Sequence, residues 1–252
     1  MSGHSKWSTI KHKKGAKDAR RGKEFAKLIR QIEVAAREAA TSDPSVSPSL
    51  ALAVQKAKDA EVPKETILRA CKRGAGELEG GKAYEVAQYE GYAPGGVAVL
   101  IDCLTDNRNR TAGDIRNAFT KVGGNLAEPG AVAFMFSRRG QIVFEAPAAA
   151  EDDVMLLGLD HGMEDLESDG DTYTAWCDAS DEPDLRKVFE EEGYRIERSG
   201  STMVPSSTVP IEDVAEAKRV VRLMDLLDDL DDVQDVYANF DLDDDVMAQL
   251  DD

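Results

Sequence analysis

Nine basic groups crowd the start of the chain: Lys6, Lys11, His12, Lys13, Lys14, Lys17, Arg20, Arg21 and Lys23, with Trp7 among them. Lysine and arginine at this density neutralise phosphates and release counterions, which is the sequence-independent part of nucleic-acid affinity. An accessible indole adds about 1–3 kcal/mol by stacking on an unpaired base. These types and spacings specify polyanion binding rather than bond-making chemistry. A charge run is more often a solvated tail, but this one continues in register along a helix face. The second candidate is CLTDNRNRTAGDIR. Asn107, Arg108, Asn109 and Arg110 fall where a strand gives way to a helix. The free N–H groups and dipole at a helix N-terminus favour an anion such as a phosphate. Equally, Asp106 or Asn107 caps the helix and the arginines pair with carboxylates such as Asp102 and Asp114. Spacing leaves both open.

Other constellations carry less. GYAPGGVAV lacks both GxGxxG and GxxxxGK[ST] and joins two strands, so it reads as a hairpin turn. His4 and His12 share no ordered element and no nearby Cys, and His161 is isolated. No GxSxG or HExxH occurs. The expectation is no catalytic residue, no metal and no cofactor, hence no enzyme. A metal-dependent hydrolase built on Asp102, Asp106 and Asp114 is the weakest of the functions weighed. Twelve Asp and no Lys, Arg or Glu occur from Asp225 to Asp252. DLDDD there lacks the glycine and distal glutamate of a calcium loop and reads as a solvated acidic face. Cys71, Cys103 and Cys177 are odd in number and far apart, the pattern of buried thiols in a reducing compartment.

The elements that must position these residues follow from periodicity. Phe25, Leu28, Ile29, Ile32, Ala36 and Ala39 step by three and four, predicting a helix from about Ala16 to Ala40. Arg20, Lys23, Lys27, Arg30 and Arg37 then lie on the face opposite its apolar stripe. The first fifteen residues show no period and should be mobile until bound. Two further helices are predicted over 48–59 and, with Pro63 at its first position, up to Gly74. GAGELEGG then links to strands in YEVAQYEGYA and VAVLIDCLTD, a helix over 107–122 and a strand in AVAFMF. A compact βαββαβ set follows over 138–204, the ferredoxin-like order. A helix over 211–230 and a strand in VQDVYANF close the chain.

The fold class expected is α+β multidomain: a basic N-terminal three-helix domain (1–80) with its arm, and two α+β domains. One comprises 81–137 with 205–252, and the other, 138–204, is inserted in it. At 252 residues the chain suits this number of small domains. Its net charge of -18 conceals a division. Residues 1–80 hold 17 Lys/Arg against 10 Asp/Glu (+7), residues 81–147 hold 7 against 7, and residues 148–252 hold 7 against 32 (-25). Screening within about 8 Å at physiological salt lets the local charge of the basic end decide what it binds. No apolar run is long enough for a membrane span, and no apolar stretch follows the basic start as in a signal peptide, so a cytoplasmic protein with no membrane partner is expected.

Several long motifs together resemble the YebC/PmpR family: SGHSKW, KHKKGAKDARRGKEFAKLIRQIEVAAR, VPKETILRACKRG, YEGYAPGGVAVLIDCLTDNRNRT and GG…PGAVAFMF. They span nearly the whole chain and are densest in residues 2–140. The resemblance implies three domains, the third inserted in the second, and no established catalytic residues. It also implies one of two roles. Some members are described as transcriptional regulators that bind DNA. Others, including the mitochondrial translational activator of cytochrome c oxidase subunit one, act on the ribosome. Either role implies a nucleic-acid partner, DNA or ribosomal RNA, for the Gly3–Trp7 arm, the Lys11–Lys14 run and Thr105–Arg110. A second class of function, read from charge alone, is a protein–protein module whose acidic face, residues 148–252, engages a basic partner of the ribosome or the transcription machinery.

Overall fold

A computed structural model describes residues 17–80, 83–146, 151–170 and 172–250, and the side chains of these except 17–20 and 244. The chain folds as an α+β multidomain protein of helices and antiparallel sheets, and it divides into two compact units. One takes the described residues of 1–27, 82–137 and 204–252, and the other those of 28–81 and 138–203.

Helix α1 covers Lys17–Glu38, α2 Pro48–Asp59 and α3 Lys64–Gly74. Pro48 opens α2 behind Ser47, whose hydroxyl accepts from the Leu50 N–H and so satisfies an orphan donor of the first turn. In the second unit α1 buries Ile32, Ala35 and Ala36, α2 buries Leu50, Val54 and Ala57, and α3 buries Ile67, Ala70 and Cys71. Gly74 ends α3 against α1, where a Cβ would stand 2.4 Å from the Glu33 carbonyl oxygen. Only a residue without one permits that approach. Beside it Arg73 pairs with the buried Glu33 at 2.6 Å.

The first unit is built on strands β1 (Glu85–Tyr92), β2 (Ala98–Thr105), β3 (Asn125–Ala127) and β9 (Val233–Ala238), in the order β3-β1-β2-β9. β2, the continuous apolar run, lies between two partners and is almost wholly buried. Helices α4 (Arg108–Val122) and α7 (Val214–Asp228) pack on this sheet through Ile115, Phe119, Val220, Leu223 and Leu227. A parallel ribbon of β8 (Val209–Ile211) and β10 (Phe240–Leu242) and a short helix α8 (Asp244–Ala248) complete the unit.

Between these pieces of sequence lie β4 (Phe136–Glu145), α5 (Glu151–Leu159), β5 (Met163–Ser168), β6 (Thr172–Asp178), α6 (Glu182–Glu191) and β7 (Ile196–Pro205). Their sheet order, β5-β6-β4-β7, is that of a ferredoxin-like fold. Its core holds Ile142, Phe144, Leu166, Ala175, Leu185 and Phe189.

Three expectations from the sequence need correction. AVAFMF is not a strand: Ala133–Met135 form a 3-10 turn, and β4 begins only at Phe136. The helix expected from 211 starts at Val214, because Val209–Ile211 are strand. The terminal acidic stretch is more than a solvated face, since it buries Phe240, Leu242 and Val246 in the first unit's core. Its aspartates alternate with, or stand beside, those apolar residues.

Candidate nucleic-acid interface

Lys6, Trp7, Lys11, His12, Lys13 and Lys14 lie outside the described residues, as does His4. Lys17 and Arg20 begin α1, and the description of side chains starts at Arg21. The guanidinium of Arg21 stands 5.3 Å from the centre of the Phe25 ring, a cation–π contact that settles the exposed first turns of α1.

Lys23 and Lys27, four residues apart and so on one helix face, meet the C-terminal end of α7. The Lys23 ammonium donates to Asp229 Oδ1 at 2.7 Å. Lys27 donates to Asp228 Oδ1 at 3.0 Å and to the Asp228 carbonyl oxygen at 3.1 Å. The second bond satisfies an acceptor that α7 leaves open at its end, where the helix dipole favours a cation. The hydrogen bond from Lys23 to Asp229 raises its pKa against an opposing desolvation, with further Coulombic support from Asp229, Asp231 and Asp228. Lys27 was expected on an open cationic face; only 15% of its side chain is exposed. Arg30 is half-buried in the other unit.

The TDNRNR segment is also engaged internally. Asn107 caps α4, its side-chain oxygen accepting from the Arg110 N–H at 3.2 Å. Arg108 donates to Glu85 Oε2 at 2.7 Å and to the Val86 carbonyl at 3.1 Å. Arg110 bridges Asp106 and Asp232, each at 2.7 Å. Asp232, 9% exposed, also accepts from the hydroxyls of Thr111 at 2.8 Å and Thr105 at 3.2 Å. Burial alone would push its carboxyl up, but these donors, Arg110 first, carry it below the ordinary aspartate value. The same two carboxylates raise the pKa of Arg110. The arginines therefore pair with carboxylates, though with Glu85, Asp106 and Asp232 rather than Asp102 and Asp114. Asp102 instead accepts from Gln88 Nε2 at 2.9 Å. Asn109 is exposed on the first turn of α4.

One short run, DDLDD over 228–232, thus touches both cationic segments picked out in the sequence: Lys23 and Lys27 through Asp228 and Asp229, Arg110 through Asp232. Sequence reasoning missed these three aspartates as site residues. The available signal was their position at the end of an amphipathic helix, where cations are drawn.

Catalytic chemistry gains no support from the cysteines. Cys71, Cys103 and Cys177 are buried free thiols, and burial pushes Cys103 and Cys177 each up to about 12, so neither is a thiolate at neutral pH. Among the described residues no group of three or more His, Cys, Asp and Glu could hold a metal ion, and no helix is long and apolar enough to cross a membrane.

Residues 5–77 match the family model described as "TACO1/YebC protein N-terminal domain", and residues 84–240 match "TACO1/YebC second and third domain". A protein of Mycobacteroides abscessus described as "Probable transcriptional regulatory protein" is 50% identical over 252 residues, all of both chains. A relative of Mycolicibacterium smegmatis with the same description is 51% identical, again over all of both chains. The crystal structure of a conserved hypothetical protein from Aquifex aeolicus superposes with a TM-score of 0.81 at 42% identity, covering 90% of this chain and 93% of that one.

Proposed function

Because the chain belongs to the TACO1/YebC family, we propose that it is a non-enzymatic, nucleic-acid-binding regulator of gene expression, a transcriptional regulator that binds DNA. The observation that carries this is the division of charge, +7 over residues 1–80 against -25 over 148–252. The description of the relatives as probable transcriptional regulatory proteins supports it. Lys6, Lys11, His12, Lys13, Lys14, Lys17, Arg20, Arg21, Lys23, Lys27 and Arg30 make the main contacts to phosphates, with Trp7 stacking. Asn107, Arg108, Asn109 and Arg110 are the second anchor, reached once phosphates replace their carboxylate partners. The protein works in the cytoplasm as three domains, 1–80, 81–137 with 205–252, and 138–204, the acidic ones facing the ribosome or the transcription machinery.

A second reading, a ribosome-associated translation factor that binds ribosomal RNA and relieves stalling, is favoured by one observation. Arg108 and Arg110, the side chains best suited to a base edge, are committed to Glu85, Asp106 and Asp232. The remaining candidate cations are mostly lysines, which grip backbone without reading sequence, and that suits ribosomal RNA. A deletion strain separates the two. Altered transcript levels with direct promoter occupancy support transcription; altered ribosome pausing at unchanged transcript levels supports translation and overturns the DNA reading.

The acidic run competes with phosphate for the same cations. The exposed Lys23–Asp229 pair is worth under about 1 kcal/mol, so a phosphate can take the carboxylate's place. Replacing Asp228 and Asp229 together with Asn should tighten nucleic-acid binding. It should also steepen the dependence of log K on log salt by up to about 1.8, two phosphate contacts on a duplex. Weaker binding in filter retention would instead mean that the pairs hold α1 in its binding position.

A further inference from the structure

Residues 128–135 form a turn held from three sides. Glu90, 5% exposed in the middle of β1's partnered stretch, accepts backbone N–H bonds from Gly130 at 2.6 Å, Val132 at 2.6 Å and Ala133 at 2.8 Å. Burial opposes ionisation of this carboxyl, but the amide donors outweigh it and hold the pKa below the ordinary glutamate value. The Tyr92 hydroxyl donates to the Ala131 carbonyl at 3.0 Å. The Met135 carbonyl accepts from the Ser206 N–H at 2.8 Å and its hydroxyl at 3.0 Å. Val132 and Phe136 point inward, with exposures of 0% and 8%. Between them Phe134 is 74% exposed.

A buried carboxylate spent wholly on backbone amides fixes this turn, and the turn's product is one aromatic ring held in solvent. Among the described residues of this unit the only other large hydrophobic side chain more than half exposed is Val86. Around Phe134 in the turn Ala131, Ala133 and Met135 are partly buried and Val132 is buried, so it is the one large apolar side chain there that stands in solvent. A protein partner's hot spot needs a surrounding rim of contacts to exclude water. A nucleobase needs only a flat face, and a backbone fixed beforehand loses little freedom when its side chain stacks. We infer that Phe134 is a stacking platform for an unpaired base of a single-stranded nucleic-acid segment. The inference rests on the nucleic-acid reading above and specifies the form of nucleic acid that this part of the chain takes.

Binding of the full chain to a single-stranded RNA dodecamer and to its fully paired duplex tests it. Phe134→Ala should weaken single-strand binding about tenfold, leave duplex binding unchanged and leave the salt slope unaltered, because stacking releases no counterions. Phe134→Trp should restore the affinity and Phe134→Leu should not. Thermal unfolding of each variant should match the parent, since the side chain packs on little. The inference is overturned if Phe134→Ala binds the single strand as the parent does, if the loss is equal on the duplex, or if Leu rescues as well as Trp, the signature of a merely apolar contact such as a protein partner would make. If the parent binds no nucleic acid, the inference and the functional reading fall together. If Lys-to-Glu changes in the arm abolish binding and Phe134→Ala does not, the inference alone falls.

Discussion

Converting Lys11, Lys13 and Lys14 to glutamate is expected to remove about three phosphate contacts. On duplex DNA each contact contributes about 0.9 to the slope of log K against log salt, so that slope should flatten by about 2.7. Extrapolated from molar to physiological salt, the same three contacts are worth on the order of a hundredfold in affinity. Circular dichroism of the variant beside the parent checks that the fold is kept. Titrations at several salt concentrations check both numbers. An unchanged slope would mean that the basic start does not touch phosphates, and the proposed function would lose its main support.

The second large effect concerns the other unit. Arg186 on α6 grips Asp59 at the end of α2 through two parallel bonds, 2.7 Å from Nη1 and 3.0 Å from Nη2. The side chains are 11% and 12% exposed, and Arg186 also donates to Glu190 at 2.8 Å and to Ser199. Desolvation alone would lower the Arg186 pKa, but its partners, Asp59 first, raise it. Asp59→Ala leaves a covered guanidinium short of its main acceptor, and removing one partner of such a pair costs about 3–5 kcal/mol. Chemical denaturation should show that loss. The double change Asp59→Leu with Arg186→Met should recover most of it, because an apolar pair of similar volume carries no desolvation cost. A loss under about 1 kcal/mol for Asp59→Ala would class the pair with surface ion pairs.

Local signals were the legible ones. Pro48, Pro63 and Gly74 mark helix ends within a residue of where they fall, and the βαββαβ set is readable from alternating periods. What was not legible depends on partners far away in sequence. AVAFMF has the composition of a strand, but Glu90, about forty residues earlier, takes three of the backbone N–H groups in and before it. TVP reads as a loop because of Pro210, with a helix after it, yet a two-stranded edge ribbon tolerates proline. At the candidate site, the sequence places the cations but does not identify the carboxylates that neutralise them. Asp229, the partner of Lys23, and Asp232, the buried one of Arg110's two partners, stand 206 and 122 residues away, a separation at which no periodicity argument reaches.

The antiparallel pairing of β2 with β9, which sets Val99 opposite Ala238, fixes an order of events during synthesis. A ribosome delivers the chain from its amino end, so β2 emerges with one side vacant and waits while the whole interrupting segment is made. That segment can fold in the interval, since its four strands are contiguous. Closing the remaining sheet then requires joining distant pieces of chain, the slow kind of step. Until the last few dozen residues appear, the leading lysines have no aspartates to meet, so a nascent molecule is more cationic at its front than a finished one.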